Sequence, residues 1–530
     1  MTRFKKHIVI GILALTAGIS GITGCTKLDV TPVSSLTPAT FPETPAQFIA
    51  ATGPIYTKFR GGPDRSYWIT ANIAADENVM VARGGNWFDG GIYAAMNLHT
   101  YNQDNSLVLN NWTWGFGTIS TCNQVLSLFS AVAESTAKAQ TVAEIKTMRA
   151  MSYFYMMDLY GNIPVSKTFG DTTNLATQPR AQVFAFIETE LLEQIPNLST
   201  TVDATTYGRP TKYLAYAILA KMYINASYYI GTDRNADAVK MCDNIINAGK
   251  YALDADYIGM FKPNNGPQIK DFIFAVPFDN VQALGQYYAR FTMHPALRAK
   301  YSMPYSPAGP IYSYASYYAL YNDTKDIRRR QYLTGKQYTH TGVPIMITTT
   351  NKGLDDNYTG SNPTGSVVHQ LEFTPDIIWR NNATFDIGND ELANEQGYRN
   401  IKFYPDSTST VRDQSNDLPM FRYADILLTK AEAILRGATA TNGATALSLV
   451  NLVRARAQAS PFTTVTLADI LDERGRELAM EMWRRNDLIR FGQYEKPWGI
   501  KTNADPQRRI FPIPKSEIQL NPKLVQNPGY

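Results

Sequence analysis

Glu473, Glu477 and Glu481 recur at four-residue spacing within residues 466–492, TLADILDERGRELAMEMWRRNDLIRFG. That spacing stacks carboxylates along one side of a helix. A pair such as Glu473 and Glu477 could do general acid and base work on a glycosidic bond, but that chemistry needs a gap of about 5 Å or more that admits a sugar ring. One helix beside Arg474, Arg476, Arg484 and Arg485, with Arg454 and Arg456 just upstream, offers no such gap. The pattern predicts a structural ion network and no catalytic residue. There is also no Gly-x-Ser-x-Gly elbow, no phosphate-cradling glycine loop and no facing acid pair. His99, His294, His340 and His369 are scattered, and Cys122 and Cys242 stand alone in apolar helical contexts, so no metal or cofactor is implied. Those two cysteines read as small core residues, a disulfide between them staying open. Acidic clusters at Asp355-Asp356-Asn357 and from Asp386 to Glu391 lack calcium-loop spacing and read as solvated turns.

The remaining chemistry is binding. The chain holds 32 Tyr and 7 Trp. Trp87 lies in Gly84-Gly85-Asn86-Trp87-Phe88-Asp89-Gly90-Gly91, a setting that suits an exposed platform. Tyrosines crowd the stretch from Tyr287 to Tyr321. Tyr317, Tyr318 and Tyr321 share helical spacing and read as packed, whereas Tyr287, Tyr288, Tyr301 and Tyr305 lie among Gly, Pro and Ser and are expected to face a ligand. A flat ring can stack on the C–H face of a sugar while polar tips bond its hydroxyls.

Helices must carry these loops. Thr44-Pro45-Ala46-Gln47 opens the first, and apolar residues at three-and-four spacing predict others at about 112–133, 138–160, 180–195, 210–230, 235–248, 421–436, 443–458 and 466–491. Thr466 and Asp469 form a starting box for the last, and Gly492 its stop. Trp112-x3-Phe116, Ala150-x3-Phe154 and the turn Tyr160-Gly161-Asn162-Ile163-Pro164 give irregular tetratricopeptide-like pairs, with the aromatics in the core. The fold class is therefore mainly α. Its helical scaffold spans about 41–60, 112–250 and 421–492, and a loop-rich half with short strands spans about 61–111 and 255–420.

Residues 1–24 combine Arg3, Lys5 and Lys6 with an apolar run from Ile8 to Ile19, too short to stay as a membrane span. They read as a cleaved export signal. Ile22-Thr23-Gly24-Cys25 has the form of a lipobox, so Cys25 is expected to become an acylated N-terminus anchored by its chains. Without this segment's three cations the formal charge falls from +4 to about +1, which argues against a nucleic-acid partner.

The ordered blocks AEAIL, ALSLVNLVRARA, ILDERGRELAMEMWRRNDLIRFG and IFPIPKSEIQLNPKLVQNPGY resemble the C-terminal signature of SusD/RagB outer-membrane nutrient-binding lipoproteins. The resemblance implies one domain over 25–530, lipid-anchored in the outer membrane and facing the exterior. It would bind oligosaccharides and deliver them to a SusC-like TonB-dependent transporter, which the helical scaffold would face. The family's ligand aromatics come from a loop before the first tetratricopeptide-like helix and from a segment after a short strand like Phe272-Ile273-Phe274-Ala275-Val276. Trp87 and the stretch from Tyr287 to Tyr305 occupy those places. Rival readings are a RagB-like peptide importer, a lipid-anchored glycan hydrolase and a tetratricopeptide scaffold that binds only proteins.

Overall fold

The Thr44 amide donates to Oε1 of Gln47 at 2.9 Å and the Gln47 amide to the Thr44 hydroxyl at 3.3 Å. This reciprocal cap, with proline at the first helical position, starts α1, Pro45–Arg60. The computed structural model describes Pro42, residues 44–349 and residues 367–530. The leader, Cys25 and the Asp355-Asp356-Asn357 cluster lie outside the described residues.

Nine further helices continue the scaffold: α2, Ser106–Phe129; α3, Thr136–Tyr160; α4, Arg180–Gln194; α5, Lys212–Ile224; α6, Asn235–Ile246; α7, Tyr423–Leu435; α8, Ala446–Arg456; α9, Leu467–Leu478; and α10, Arg484–Arg490. Successive helices pack on one another from α1 to α4 and again from α5 to α8, while α7 also meets α5 and α9. Trp112, Phe154 and Tyr160 are buried, with Phe116 half-buried over Trp112 at 4.3 Å between centroids. These rings fill the grooves between helices, as the tetratricopeptide-like spacing predicts. Cys122 and Cys242 are both buried free thiols, so neither bridges the other.

The first loop-rich segment is more helical than its composition suggests. Tyr67–Ile73 and Ile92–Leu98 are helices within 61–111, and all seven residues of the former are buried. A helix covered on every side shows no apolar stripe, so periodicity cannot reveal it.

Strands are short and antiparallel. β1, Asn78–Met80, pairs with β3, Ile311–Ser313, and β2, Phe272–Val276, pairs with β4, Leu418–Arg422. All residues of β2 and β4 are buried, which explains a continuous apolar run where a half-exposed strand would alternate. These two pairings set where four loops emerge.

The expected 466–491 helix is instead two. Thr466 and Asp469 do form the starting box, and Gly492, with φ 64°, ends α10. Between them Met480 and Met482 take left-handed φ values of 64° and 68°. The break is held by tertiary partners. Lys402 Nζ binds the carbonyls of Glu477 and Ala479 at 3.0 and 2.9 Å, and the Met480 amide donates to Glu77 at 2.7 Å. Those groups are diverted from helix continuation. Across the break Glu481 engages Lys402 and Arg422, while Arg485 donates to the Arg509 carbonyl.

The ion network is buried rather than exposed as an amphipathic surface. Glu473 contacts Arg328 at 2.8 Å, Arg454 at 2.8 Å and Arg476 at 2.9 Å. Glu477 contacts Arg328 at 3.0 Å and Arg422 at 2.8 Å, and also meets Arg456. Arg422 in turn reaches Asp271 at 2.8 Å, just before β2. Burial alone would raise the Glu477 carboxyl, but Arg456, Arg422 and Arg328 outweigh it and hold that group well below the usual range. The network fastens one end of the β2–β4 pair, where Asp271 and Arg422 meet, to the helices.

Candidate functional site

Loop 83–91 follows β1 and carries Trp87. The Arg83 amide donates to the Asn86 carbonyl at 2.8 Å, and the Asn86 amide returns the bond at 3.1 Å. Gly84 and Gly85 between them have φ values of 57° and 84°, a tight turn that side chains resist. Asp386 secures the turn by accepting from the amides of Gly84 and Gly85 at 3.0 and 2.9 Å, and it also accepts from Gly388 at 2.7 Å. This carboxylate from the Asp386–Glu391 cluster is therefore a loop clamp. Asp390 caps Ala393 at 2.9 Å and pairs with Arg380 at 2.6 Å. Trp87 itself sits at φ 66°, a costly backbone for a bulky residue and the kind of local strain found where a side chain must be aimed.

The Trp87 ring is half-buried, edge-on to Phe291 at 5.9 Å, and the Arg290 guanidinium lies 5.8 Å from its centroid. Arg290 belongs to the short helix Tyr288–Thr292, which β2 leads into, and its amide donates to the Tyr287 carbonyl at 2.9 Å. The Arg290 carbonyl accepts the amides of Ala308 and Gly309 at 2.8 and 2.9 Å, drawing in the loop that carries Tyr305 ahead of β3. Gly309 has φ 56°, and a Cβ there would lie 2.4 Å from the Met293 carbonyl oxygen. From the other side, the Asp413 carboxylate accepts the Gly285 amide at 2.7 Å and the Gln414 amide donates to the Gln286 carbonyl at 3.0 Å. This seats the loop before β4, with its exposed Arg412, against the start of the same helix.

The structure thus gathers Trp87, Tyr287 and Tyr305, all half-buried, around Arg290. It does not gather Tyr288 or Tyr301, whose expected exposure is corrected. Tyr288 is 1% exposed, stacks on Trp68 at 3.8 Å and 9°, meets Phe403 at 5.0 Å and donates its hydroxyl to the Pro63 carbonyl. Both its faces and its tip are taken by the core. Tyr301 is 5% exposed, edge-on to Tyr404 at 5.4 Å and His340 at 5.7 Å, in a small cluster with Met293, Leu297 and Phe373. Tyr317 and Tyr321 are buried and Tyr318 is half-buried, in line with packing.

Electrostatics are uneven across this surface. Burial raises the Tyr287 phenol, and the adjoining Asp413 adds to that rise. Burial also raises Tyr305, whose hydroxyl has no hydrogen-bond partner in the described structure. Burial lowers Arg290, reinforced by the charges of Arg412 and Arg65. Asp64, beneath Tyr287, is pushed up to about 7 by burial despite Arg65 and Arg60 beside it. Sequence reading missed Arg65, Arg290 and Arg412. Arg290, three residues after Tyr287, carried a faint signal as its helical neighbour; Arg412, in the polar run 405–417, carried none.

Three clefts elsewhere, of about 310 Å³ beside Tyr207 and Phe272, about 750 Å³ beside Lys58 and Trp114 and about 520 Å³ beside Arg484 and Trp498, include none of these residues. What the geometry offers is a shelf of half-buried rings with polar and cationic groups beside it, carried by loops from a helical scaffold. That is the form of a binding protein.

The chain belongs to the SusD family. The model described as the SusD family matches residues 241–530, and one described as starch-binding associating with outer membrane matches residues 28–224. It is 25% identical over 430 residues to the starch-binding protein SusD of Bacteroides thetaiotaomicron, covering 73% of this chain and 72% of that one. A laminarin binding SusD-like protein superposes with a TM-score of 0.70 at 20% identity, over 92% of this chain and 99% of its own. The surface glycan-binding protein A of Bacteroides thetaiotaomicron in complex with laminarihexaose gives a TM-score of 0.67 at 21% identity, over 91% and 99%. These relatives are described as binding proteins and not as enzymes.

Proposed function

We propose that this chain is an outer-membrane lipoprotein that captures oligosaccharides on the shelf formed by Trp87, Tyr287 and Tyr305 and passes them to a SusC-like TonB-dependent transporter. The observation that carries the reading is the convergence of three half-buried rings from three separate loops on Arg290. Stacking on preset rings needs little ordering on binding, and bonds at the rim select the hydroxyls. The starch named for the SusD relative and the laminarihexaose named for the glycan-binding protein A support the ligand class.

The rest of the reading follows from family membership and the leader. Residues 25–530 act as one domain, whose main core cluster draws residues from Phe48 to Leu524. Acylated Cys25 tethers it to the outer face of the membrane. Calorimetry of the full chain with a panel of oligosaccharides tests the ligand class. Binding with a modest Kd supports it, and no heat with any member counts against it. Pull-down from detergent-solubilised outer membranes tests the partner: a co-retained transporter barrel is expected, and its absence removes that step.

A further inference from the structure

We infer that the shelf is built for an anionic oligosaccharide, one whose sugars carry carboxylate or sulfate groups, with Arg65, Arg290 and Arg412 as the receiving cations. The inference rests on the glycan-binding reading above and narrows its ligand class.

Among the described residues, none of the three arginines has a carboxylate within ion-pair distance, although Arg328, Arg422, Arg454, Arg474 and Arg490 all do. Arg290 makes no side-chain hydrogen bond within the described structure. Its guanidinium lies 5.8 Å from the Trp87 centroid and 5.5 Å from that of Phe291, and Arg65 approaches Phe291 from its own side at 5.5 Å. Arg412 comes from the third direction, on the loop whose Asp413 and Gln414 bond Gly285 and Gln286. The charges that act most on Arg290 are those two other cations, which destabilise its own charge.

Three like charges around a half-buried aromatic shelf are unfavourable unless something neutralises them. The local acids hydrogen-bond to other groups, and among the described residues none comes within ion-pair distance of the three arginines. Asp413 accepts the Gly285 amide, and Asp406 accepts from the Thr408 amide and hydroxyl and the Ser415 amide. Asp89 lies with Arg65 beside the Tyr93 hydroxyl. Asp64, pushed up to about 7, is only partly ionised at neutral pH. The cationic side chains thus project where a sugar stacked on Trp87 would extend its substituents. Planar guanidinium groups match a carboxylate or sulfate in two-pronged fashion, and a guanidinium stacked on rings loses little further freedom when it does so.

The test is calorimetry on the full chain with hexameric probes at low and physiological salt: laminarihexaose and maltohexaose as neutral probes, oligogalacturonate and oligomannuronate as carboxylated ones, and a carrageenan oligosaccharide as the sulfated one. The expected result is that one anionic class binds about tenfold or more tighter than both neutral probes, and that its affinity falls with added salt. Arg290→Gln and Arg412→Gln should each remove about tenfold of that affinity, a larger loss than either causes with a neutral probe. Arg412 is exposed, so its variant folds even if Arg290→Gln does not. Neutral probes binding as tightly as every anionic one, with both variants unaffected, would overturn the inference and leave glycan binding standing. Binding to no probe would overturn both. The carboxylated and sulfated arms tell which anion the arginines receive.

Discussion

The Arg290 guanidinium lies 5.8 Å from the centre of the Trp87 indole, though the two residues stand on loops set by different strand pairs. β1 against β3 fixes where the Trp87 loop leaves, and β2 against β4 fixes where Arg290 arrives. The contact therefore depends on both pairings and on the buried charges that pin β2 and β4 to the helices. Cation and ring also support each other, at roughly 0.5–1 kcal/mol for a partly exposed pair.

Adjacent tyrosines should behave oppositely. Tyr288→Ala removes a ring stacked on Trp68 and edge-on to Phe403 and should lower stability by about 3–5 kcal/mol, seen as a large fall in Tm. Tyr287→Ala removes a half-buried ring at the shelf and should leave Tm nearly unchanged while weakening glycan binding by about tenfold. The reverse pattern, a stable Tyr288→Ala with impaired binding, would assign the shelf to the wrong neighbour.

Glu477 is expected to be indispensable to the fold. Glu477→Gln leaves Arg328, Arg422 and Arg456 short of a counter-charge in the interior and should cost about 3–5 kcal/mol at pH 7, measured by denaturant unfolding. The sign with pH is fixed by a folded value held well below the usual range. Its stabilisation is full above an unfolded value of about 4.3 and drains away as pH falls from there toward the folded one. The gap between wild type and variant should therefore narrow on acidification. A gap that stays constant down to pH 3 would contradict the depressed carboxyl.

Asp64 should make ligand affinity depend on pH. Its carboxyl, pushed up to about 7, faces Arg60, Arg65 and Asp413 with Tyr287 and Tyr288 above it. As pH rises through 7 it ionises and offsets part of the cationic edge, so the affinity for an anionic glycan should fall by roughly two- to threefold between pH 6 and 8. Asp64→Asn should flatten that profile. An equal slope in the variant would move the titrating group elsewhere.

Much of the scaffold was legible because its signals are local. The Thr44 and Thr466 boxes need only four residues each, and the apolar run Phe272 to Val276 marks a strand buried on both faces. The family resemblance of the C-terminal blocks is likewise visible in the chain and matches the SusD model over 241–530. The break at Ala479 to Trp483 was hidden, since Lys402 and Glu77, which hold it, stand 77 and 403 residues from the groups they bind. Tyr288 and Tyr301 were misread for a related reason. Glycine, proline and serine nearby report a flexible chain, but whether a ring is covered depends on Trp68, Phe403 and Tyr404 arriving from afar. The turn that carries Trp87 was easier to read, because glycines on both sides free its loop and the positive φ values there are what such residues allow. That neither Arg290 nor Arg412 meets an acid at ion-pair distance among the described residues is a tertiary fact with no sequence trace.

Calorimetric titration of the full chain and of its Trp87→Ala variant against the tightest oligosaccharide of the panel tests the ring shelf most directly. A loss of about tenfold or more in affinity with unchanged Tm is the expected result. Equal affinity in the two proteins would show that sugars bind elsewhere, or that the indole has no part in holding them.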